Sequence, residues 1–210
     1  MRELVETFAT FLDRLHRICL LIAVNKGTIN NDEADEYGPT FEKKGIGAKI
    51  KAMRKRFSIA TTSERERYLV SINQARNCIT HRQGKVGSED LKGQDMFQLV
   101  WLGLECYVDT PDGNRHSLMP PFPKKSEILK DGGDLKVECV ERIAKYKLND
   151  VVTFSPNDLG EICLLFQCAT DDIAKSAFEY LKRMGIAIEV IGKQVEHVAE
   201  PYGGEIPTSD

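Results

Sequence analysis

The spacing of apolar residues over the first 25 positions most restricts how this chain can fold. Six large apolar side chains recur at intervals of three or four residues, namely Leu4, Phe8, Phe11, Leu15, Ile18 and Ile22. Because an α-helix turns once every 3.6 residues, this spacing gathers them into one stripe that must pack against other elements. We therefore expect an amphipathic first helix, ended by Gly27.

A loop and two further helices are predicted next. Residues 28–44 are rich in Asn, Asp, Glu and Gly and are expected to form a loop, and a short basic helix follows over 46–57. Ser63 with Glu66 three residues later has the pattern of a capping box, in which side chain and backbone satisfy each other's free donors. Gly84 is a natural end for the helix that begins there. Its apolar face is expected to consist of Leu69, Ile72, Ala75 and Ile79.

After Gly87 the pattern changes to the alternation that is typical of β-strands. Residues 96–108 are rich in β-branched and aromatic side chains, and Trp101 among them is expected in the core. A short strand is also predicted over 151–154, and a longer one where Leu135, Val137 and Cys139 alternate. Turn or proline-rich sequences separate these runs at 111–114, 120–123 and 131–134.

The last predicted helix has a strong start signal. Ser155 is suited to the N-cap, Pro156 to the first helical position and Asp158 to the positive end of the helix dipole. We expect this helix to run to Met184. Beyond it, a short apolar strand is predicted over 186–191 and a flexible tail over 198–210.

Length and composition limit the class of protein. With 210 residues and 41% hydrophobic residues the chain can bury a core of its own, and no apolar run is long enough to span a membrane. The cysteines contain no CxxC pair, which indicates reduced, buried thiols in a cytoplasmic protein and argues against a metal site or other cofactor. They are Cys19, Cys78, Cys106, Cys139, Cys163 and Cys168.

Positive charge is concentrated in one segment of an acidic chain. Between Lys43 and Lys85 there are twelve Lys and Arg residues against Glu64 and Glu66, so the segment carries +10 and the rest −13. Such segregation favours a polyanion-binding face, although a lysine-rich helix that docks against the acidic remainder of the chain, for example residues 32–36, would account for it too. The residues predicted to contact RNA phosphates are Lys43, Lys44, Lys49, Lys51, Arg54, Lys55, Arg56, Arg82 and Lys85.

The basic segment ends in an arginine, an amide and a histidine with chemical potential. Successive helical residues rotate by about 100°, so Arg76, Asn77, Thr80 and His81 are expected on one polar arc of the helix. Histidine can transfer protons near neutral pH, and arginine stays charged and offers a planar fork to phosphoryl oxygens. Arg76, Asn77 and His81 are therefore the candidate catalytic residues for breaking RNA without a metal. Cations near a helix C-terminus also suit its dipole, a local role that leaves catalysis unnecessary.

Residues 74–82, Gln-Ala-Arg-Asn-Cys-Ile-Thr-His-Arg, resemble the Arg-x4–6-His motif of the HEPN superfamily (higher eukaryotes and prokaryotes nucleotide-binding domains). The resemblance implies a mainly α protein, a HEPN-like helical bundle with a small β-rich insertion before the last long helix, α+β overall. The bundle would comprise 1–87 and 155–197, and the insertion 88–154.

For function, the resemblance implies a metal-independent endoribonuclease that cleaves RNA through the ribose 2′-OH. One chain supplies a single motif histidine, so a homodimer is implied in which two motifs share one cleft. The family also implies a toxin or antiphage-defence effector, with an antitoxin or sensor as a possible partner. Gln83 occupies the position where some HEPN toxins carry a modifiable tyrosine, so silencing by adenylylation is not expected.

Two alternatives stay open from the sequence. The chain could be a catalytically silent HEPN module that binds RNA, a nucleotide or a partner protein, because a fold alone does not establish catalysis. It could also be a helical adaptor unrelated to nucleic acid. Salt-sensitive RNA binding would separate the adaptor from the other two.

Overall fold

The computed structural model describes residues 1–118 and 132–186. These residues form a mostly helical structure with one small antiparallel sheet, which confirms the predicted α+β class. The helices are α1 (Arg2–Asn25), α2 (Asn31–Glu42), α3 (Ile46–Phe57), α4 (Ser63–Arg82), α5 (Ser88–Leu91) and α6 (Pro156–Arg183). The strands are β1 (Phe97–Asp109), β2 (Arg115–Ser117) and β3 (Asp134–Tyr146).

Local signals placed two helices correctly. Helix α3 has the predicted bounds, and α6 starts and ends at the predicted signals. The Ser155 hydroxyl accepts from the Asp158 amide at 3.1 Å, and the Asp158 carboxylate accepts from the Ser155 amide at 2.7 Å. This reciprocal cap satisfies backbone donors that a helix start leaves free.

Two finer helical predictions were wrong. Helix α4 is capped by the Thr62 hydroxyl, which accepts from the Arg65 amide, while Glu66 is buried in an ion pair with Arg54. On α1 the deeply buried face is rotated from the predicted stripe, so that Ile18 lies 49% exposed. The α1 residues that are buried are Val5, Phe8, Leu12, His16, Cys19, Leu20 and Ala23.

The predicted loop over 28–44 is also wrong, because most of it forms α2. A reciprocal cap starts this helix: the Asn30 side chain accepts from the Glu33 amide at 2.8 Å, and Glu33 accepts from the Asn30 amide at 3.1 Å. Near its other end Phe41 is buried against His16 of α1, with parallel rings 3.8 Å apart. Burial of one aromatic ring and a good cap thus outweigh a polar composition and an internal proline.

The sheet has the order β2-β1-β3 and is antiparallel throughout. The first half of strand β1 packs in the helical core. Trp101 is buried there as predicted, along with Phe97, Leu99, Val100 and Leu102. On the edge of β1 away from β3, helix side chains occupy the backbone donors. The Ser71 hydroxyl of α4 accepts from the Val100 amide at 2.7 Å, and Glu161 of α6 accepts from the Leu104 amide at 3.2 Å.

Glu161 is a buried carboxylate shared by the sheet and α6. Besides the Leu104 amide it accepts from the Trp101 indole at 2.9 Å and from Arg142 of β3 at 3.1 Å. The Arg142 side chain reaches it by crossing β1 at Gly103, where an added Cβ would lie 2.6–2.7 Å from Arg142 atoms. The missing side chain of Gly103 therefore opens the path that completes the network.

Strand β3 lies at the edge of the sheet. β3 forms as predicted, but Leu135 and Val137 are 66% and 58% exposed because the end of the sheet extends beyond the helices. The strand predicted over 151–154 is reduced to a single bridge between Val151 and Lys85.

Cys139 and Cys163 are exposed, which corrects the expectation of buried thiols. Outside the described residues lie the predictions for 120–123, 187–191 and 198–210.

We expect Gly103→Ala to destabilise the protein by about 1–3 kcal/mol, because the new methyl group overlaps the Arg142 side chain and displaces it from Glu161. Urea-induced unfolding monitored by circular dichroism would measure the change. Gly160→Ala is the matched control, since its Cβ in α6 meets nothing within 4 Å. It is expected to stabilise by up to about 1 kcal/mol. If the two variants changed the free energy of unfolding equally, the steric role assigned to Gly103 would be wrong.

His16 should make stability depend on pH. Burial, followed by repulsion from Arg56, Lys44 and Lys49, lowers the pKa of His16 from its ordinary 6.5 to about 4. Between these values the unfolded chain binds a proton that the folded protein does not. This stabilising contribution is therefore complete above pH 6.5 and lost as the pH falls to 4, a change of about 3 kcal/mol.

The measurement compares unfolding free energies of wild type and His16→Phe from pH 7 to pH 4. Phenylalanine keeps an aromatic ring on Phe41 but has no proton to bind, so the variant should lose less stability over this range. Identical pH dependence in the two proteins would show that His16 does not contribute.

Candidate active site

The C-terminal end of α4 is fixed by its backbone and by one acidic residue. Gln83 takes a left-handed conformation (φ +54°), and the Gly84 amide donates to the Cys78 carbonyl at 3.2 Å, which ends the helix. Asp90, at the start of the short α5, accepts from Arg82 and also from the Gly87 amide at 2.9 Å. Asp90 thereby holds the following segment against the last turn of α4.

This arrangement encloses a cleft of about 330 Å³ beside the motif. Asn77 and His81, one helical turn apart, both line it, so the structure brings two of the three candidate catalytic residues together. His81 is exposed, and none of the described residues forms a hydrogen bond or ion pair with its ring. The other lining residues are Gln74, Arg82, Glu89, Asp90, Lys92 and Phe97.

Arg76 lies next to this cleft but is directed elsewhere. One guanidinium nitrogen donates to the Glu6 carboxylate of α1 at 3.0 Å, and another donates to the Asn77 side-chain oxygen at 3.0 Å. Arg76 is not among the lining residues of the cleft. Of the four residues of the expected polar arc, Asn77 and His81 line the cleft, Arg76 contacts α1, and Thr80 is in neither group.

The Arg76–Asn77 hydrogen bond orients the amide. Because the Asn77 oxygen accepts from Arg76, its NH₂ group is the end left to donate. Two further polar atoms on this arc, Arg76 Nε and Thr80 Oγ1, are buried without a hydrogen-bond partner in the part of the chain that the structure describes. A buried polar atom without a partner costs free energy, so its presence calls for an explanation such as a bound water or a functional role.

The basic segment is half neutralised by internal ion pairs. The buried Lys49 ammonium lies 2.6 Å from an Asp13 carboxylate oxygen, which removes Lys49 from the predicted RNA-contacting set. Arg54 and Arg82 also form ion pairs, with Glu66 and Asp90. None of these acids lies in residues 32–36, but all except Glu66 belong to the acidic remainder of the chain, as docking against that remainder requires. The six pairs are Lys49–Asp13, Arg54–Glu66, Arg65–Asp172, Arg67–Glu141, Arg76–Glu6, and Arg82 with Glu89 and Asp90.

The remaining cations of the segment have no acidic partner within residues 1–118 and 132–186. Three of them converge on a second cleft, between α2 and α3, rather than on the His81 end of α4. The six cations are Lys43, Lys44, Lys51, Lys55, Arg56 and Lys85. The predicted phosphate contacts thus fall into an unpaired group, centred on α3, and a paired group with structural roles.

Sequence reasoning missed the acidic partners that organise the site. Glu6 lies 70 positions before Arg76 in the chain, and no local pattern links the two. Asp90 follows Gly87 by three residues, a spacing compatible with a helix start, but its hold on Arg82 is a tertiary contact.

Comparison of the chain with family models, with curated proteins and with solved structures finds no match. The HEPN resemblance therefore rests on residues 74–82 and stays a prediction. Within the described ranges, no helix combines the length and apolarity needed to cross a bilayer.

Proposed function

We propose that this protein is a metal-independent endoribonuclease whose active site contains Arg76, Asn77 and His81. The observation that carries the proposal is a hydrogen-bonded Arg76–Asn77 pair beside an exposed His81 in an open cleft. A titratable imidazole that no described residue engages is available to a substrate, and the amide next to it is already oriented to donate.

The chemistry would follow from these groups. His81 accepts the proton of a ribose 2′-OH, the 2′-oxygen attacks the adjacent phosphorus, and the bond to the 5′-oxygen breaks. The products are a 2′,3′-cyclic phosphate and a 5′-hydroxyl. Arg76 and the Asn77 NH₂ group would offset the charge that develops on the phosphoryl oxygens, a stabilisation worth several kcal/mol in preorganised sites.

The leaving 5′-oxygen needs a proton donor, and a second copy of His81 would provide it. A two-fold homodimer in which the α4 ends face each other would supply both proton-transfer groups. A toxin or antiphage-defence role, and control by an antitoxin or sensor, belong to this proposal through the HEPN resemblance.

A second candidate is an RNA-binding or nucleotide-binding module that does not cleave. It is favoured by the Glu6–Arg76 ion pair, because a guanidinium held by a carboxylate must leave it before it can bind a phosphate. The Glu6 carboxyl has a lowered pKa, owing to hydrogen bonds from Arg2 and Arg76, so it competes as an anion.

We expect wild type to cleave a labelled single-stranded RNA in EDTA and to leave cyclic-phosphate ends. His81→Ala should slow cleavage by about 10²–10⁴-fold because it removes the proton-transfer group. Arg76→Ala should slow it by about 10²–10³-fold because the phosphoryl charge is no longer offset. Gel analysis of product ends and initial rates would measure both effects.

His116→Ala is the matched control, since it removes a histidine on β2, outside the cleft, and should leave cleavage unchanged. Thermal unfolding of each variant would exclude loss of fold. Equal cleavage by all four proteins would contradict the proposed site. Salt-sensitive binding of intact RNA by all four would support the second candidate instead.

Glu6→Gln tests whether Arg76 acts on the substrate. The amide keeps the shape of the carboxylate but frees Arg76 from its ion pair, so RNA should bind about three- to tenfold more tightly in fluorescence anisotropy. Glu3→Gln makes the same charge change on an exposed part of α1 and should have a smaller effect. Equal tightening would indicate only a change in net charge, and loss of cleavage in Glu6→Gln would show that Glu6 positions Arg76.

A further inference from the structure

A second cleft, which we call the His16 cleft, lies between α2 and α3 over the middle of α1 and has a volume of about 360 Å³. It shares no lining residue with the cleft at His81. Among residues 1–118 and 132–186, its polar lining consists of His16, Tyr37, Thr40, Lys44, Lys55 and Arg56, with Glu36 the one acidic lining residue.

His16 is the unusual member of this set. Its side chain is buried, with the residue only 3% exposed, and its ring is stacked on Phe41. Neither ring nitrogen has a hydrogen-bond partner among the described residues, although the ring lines the cleft. A buried imidazole that is stacked on a neighbouring ring and that no described residue engages is suited to bind a ligand inside the cleft.

The cations around His16 are also uncommitted. Lys44, Lys55 and Arg56 form no ion pair with any residue in the described ranges, and the Lys44 ammonium donates only to the Thr40 carbonyl at 3.2 Å. The central carbon of the Arg56 guanidinium lies over the Tyr37 ring, 3.2 Å from its centroid. This cation–π contact leaves the guanidinium N–H groups able to donate to a ligand.

The charge of the cleft specifies the ligand. Three cations and Glu36 give a net charge of +2 with His16 neutral, which matches a dianion. Tyr37 adds a hydroxyl group to the lining, whereas the Thr40 hydroxyl already donates to the Glu36 carbonyl at 2.9 Å. An apolar ligand would leave these cations desolvated and unpaired, at a high cost in free energy.

We propose that the His16 cleft binds a phosphate monoester dianion, with Lys44, Lys55 and Arg56 as charge partners and His16 as a buried hydrogen-bond partner. Arg56 provides a planar fork for two phosphate oxygens, and the two lysines provide mobile charges. The phosphate comes either from a free mononucleotide or from the 5′ end of an RNA. This site is separate from the proposed endoribonuclease centre and does not depend on it.

The test is equilibrium binding of inorganic phosphate and 5′-AMP, measured by isothermal titration calorimetry with the full chain. Two RNA oligonucleotides of one sequence, with a 5′-phosphate and with a 5′-hydroxyl, are compared by fluorescence anisotropy in the His81→Ala background, where they stay intact. We expect saturable phosphate and AMP binding. An RNA end as the source predicts about tenfold tighter binding of the 5′-phosphorylated oligonucleotide, and a free mononucleotide predicts AMP binding without this preference.

Matched variants locate the site. Arg56→Gln and Lys55→Gln should each weaken AMP binding about tenfold, and His16→Phe should weaken it while keeping the stack on Phe41. Arg14→Gln on the exposed side of α1 and Lys175→Gln on α6 make the same charge changes outside the cleft and should have little effect. Circular dichroism would verify folding.

Two results would overturn the proposal. One is the absence of saturable phosphate or AMP binding below about 10 mM together with equal affinity for the two oligonucleotides. The other is equal weakening by the cleft variants and the Arg14 and Lys175 controls, which would indicate diffuse charge attraction. Loss of RNA cleavage in His81→Ala with unchanged AMP binding would separate this site from the proposed active site.

Discussion

The buried carboxylate of Glu161 is the contact on which the joining of sheet and helices depends. A buried charge is costly unless several donors meet it, and here a backbone amide, an indole and a guanidinium do so. Each donor comes from the sheet, while the acceptor comes from the second turn of α6. The strand that carries Trp101 into the core therefore has a fixed position along α6, and its neighbour β3 is connected to the same point through Arg142.

The sequence was informative where structure is local. The Ser155 cap, the basic helix over 46–57 and the long strand around Trp101 follow from signals within a few residues, and each was found where expected. Helix α2 was missed because its composition is polar and its burial depends on one ring, Phe41, against His16 of another helix. A prediction from composition gives a loop here, because a single buried residue, Phe41, hardly changes the average polarity of the segment.

The candidate site shows the same division between local and tertiary information. Spacing placed Asn77 and His81 one turn apart, and the structure has both on one cleft. Spacing could not show that Arg76 is held by Glu6, or that Lys49 is buried on Asp13, because these partners lie far away in the chain. Charge counting over 43–85 likewise could not separate cations that stabilise the fold from those left for a ligand. That separation shifts the uncommitted positive charge from the end of α4 to α3.

The hydrogen bonds from the β1 backbone to Ser71 and Glu161 also determine where the chain can change in length. Ser71 and Glu161 accept from amides four residues apart. An insertion or deletion within this part of β1 would therefore leave at least one of these two side chains without its donor. Beyond Cys106 no helix side chain bonds the described β1 backbone, and β2 pairs there instead. The outer end of the sheet can therefore lengthen, shorten or exchange its loop over evolution, while the half of β1 beneath α4 and α6 is constrained to a constant length.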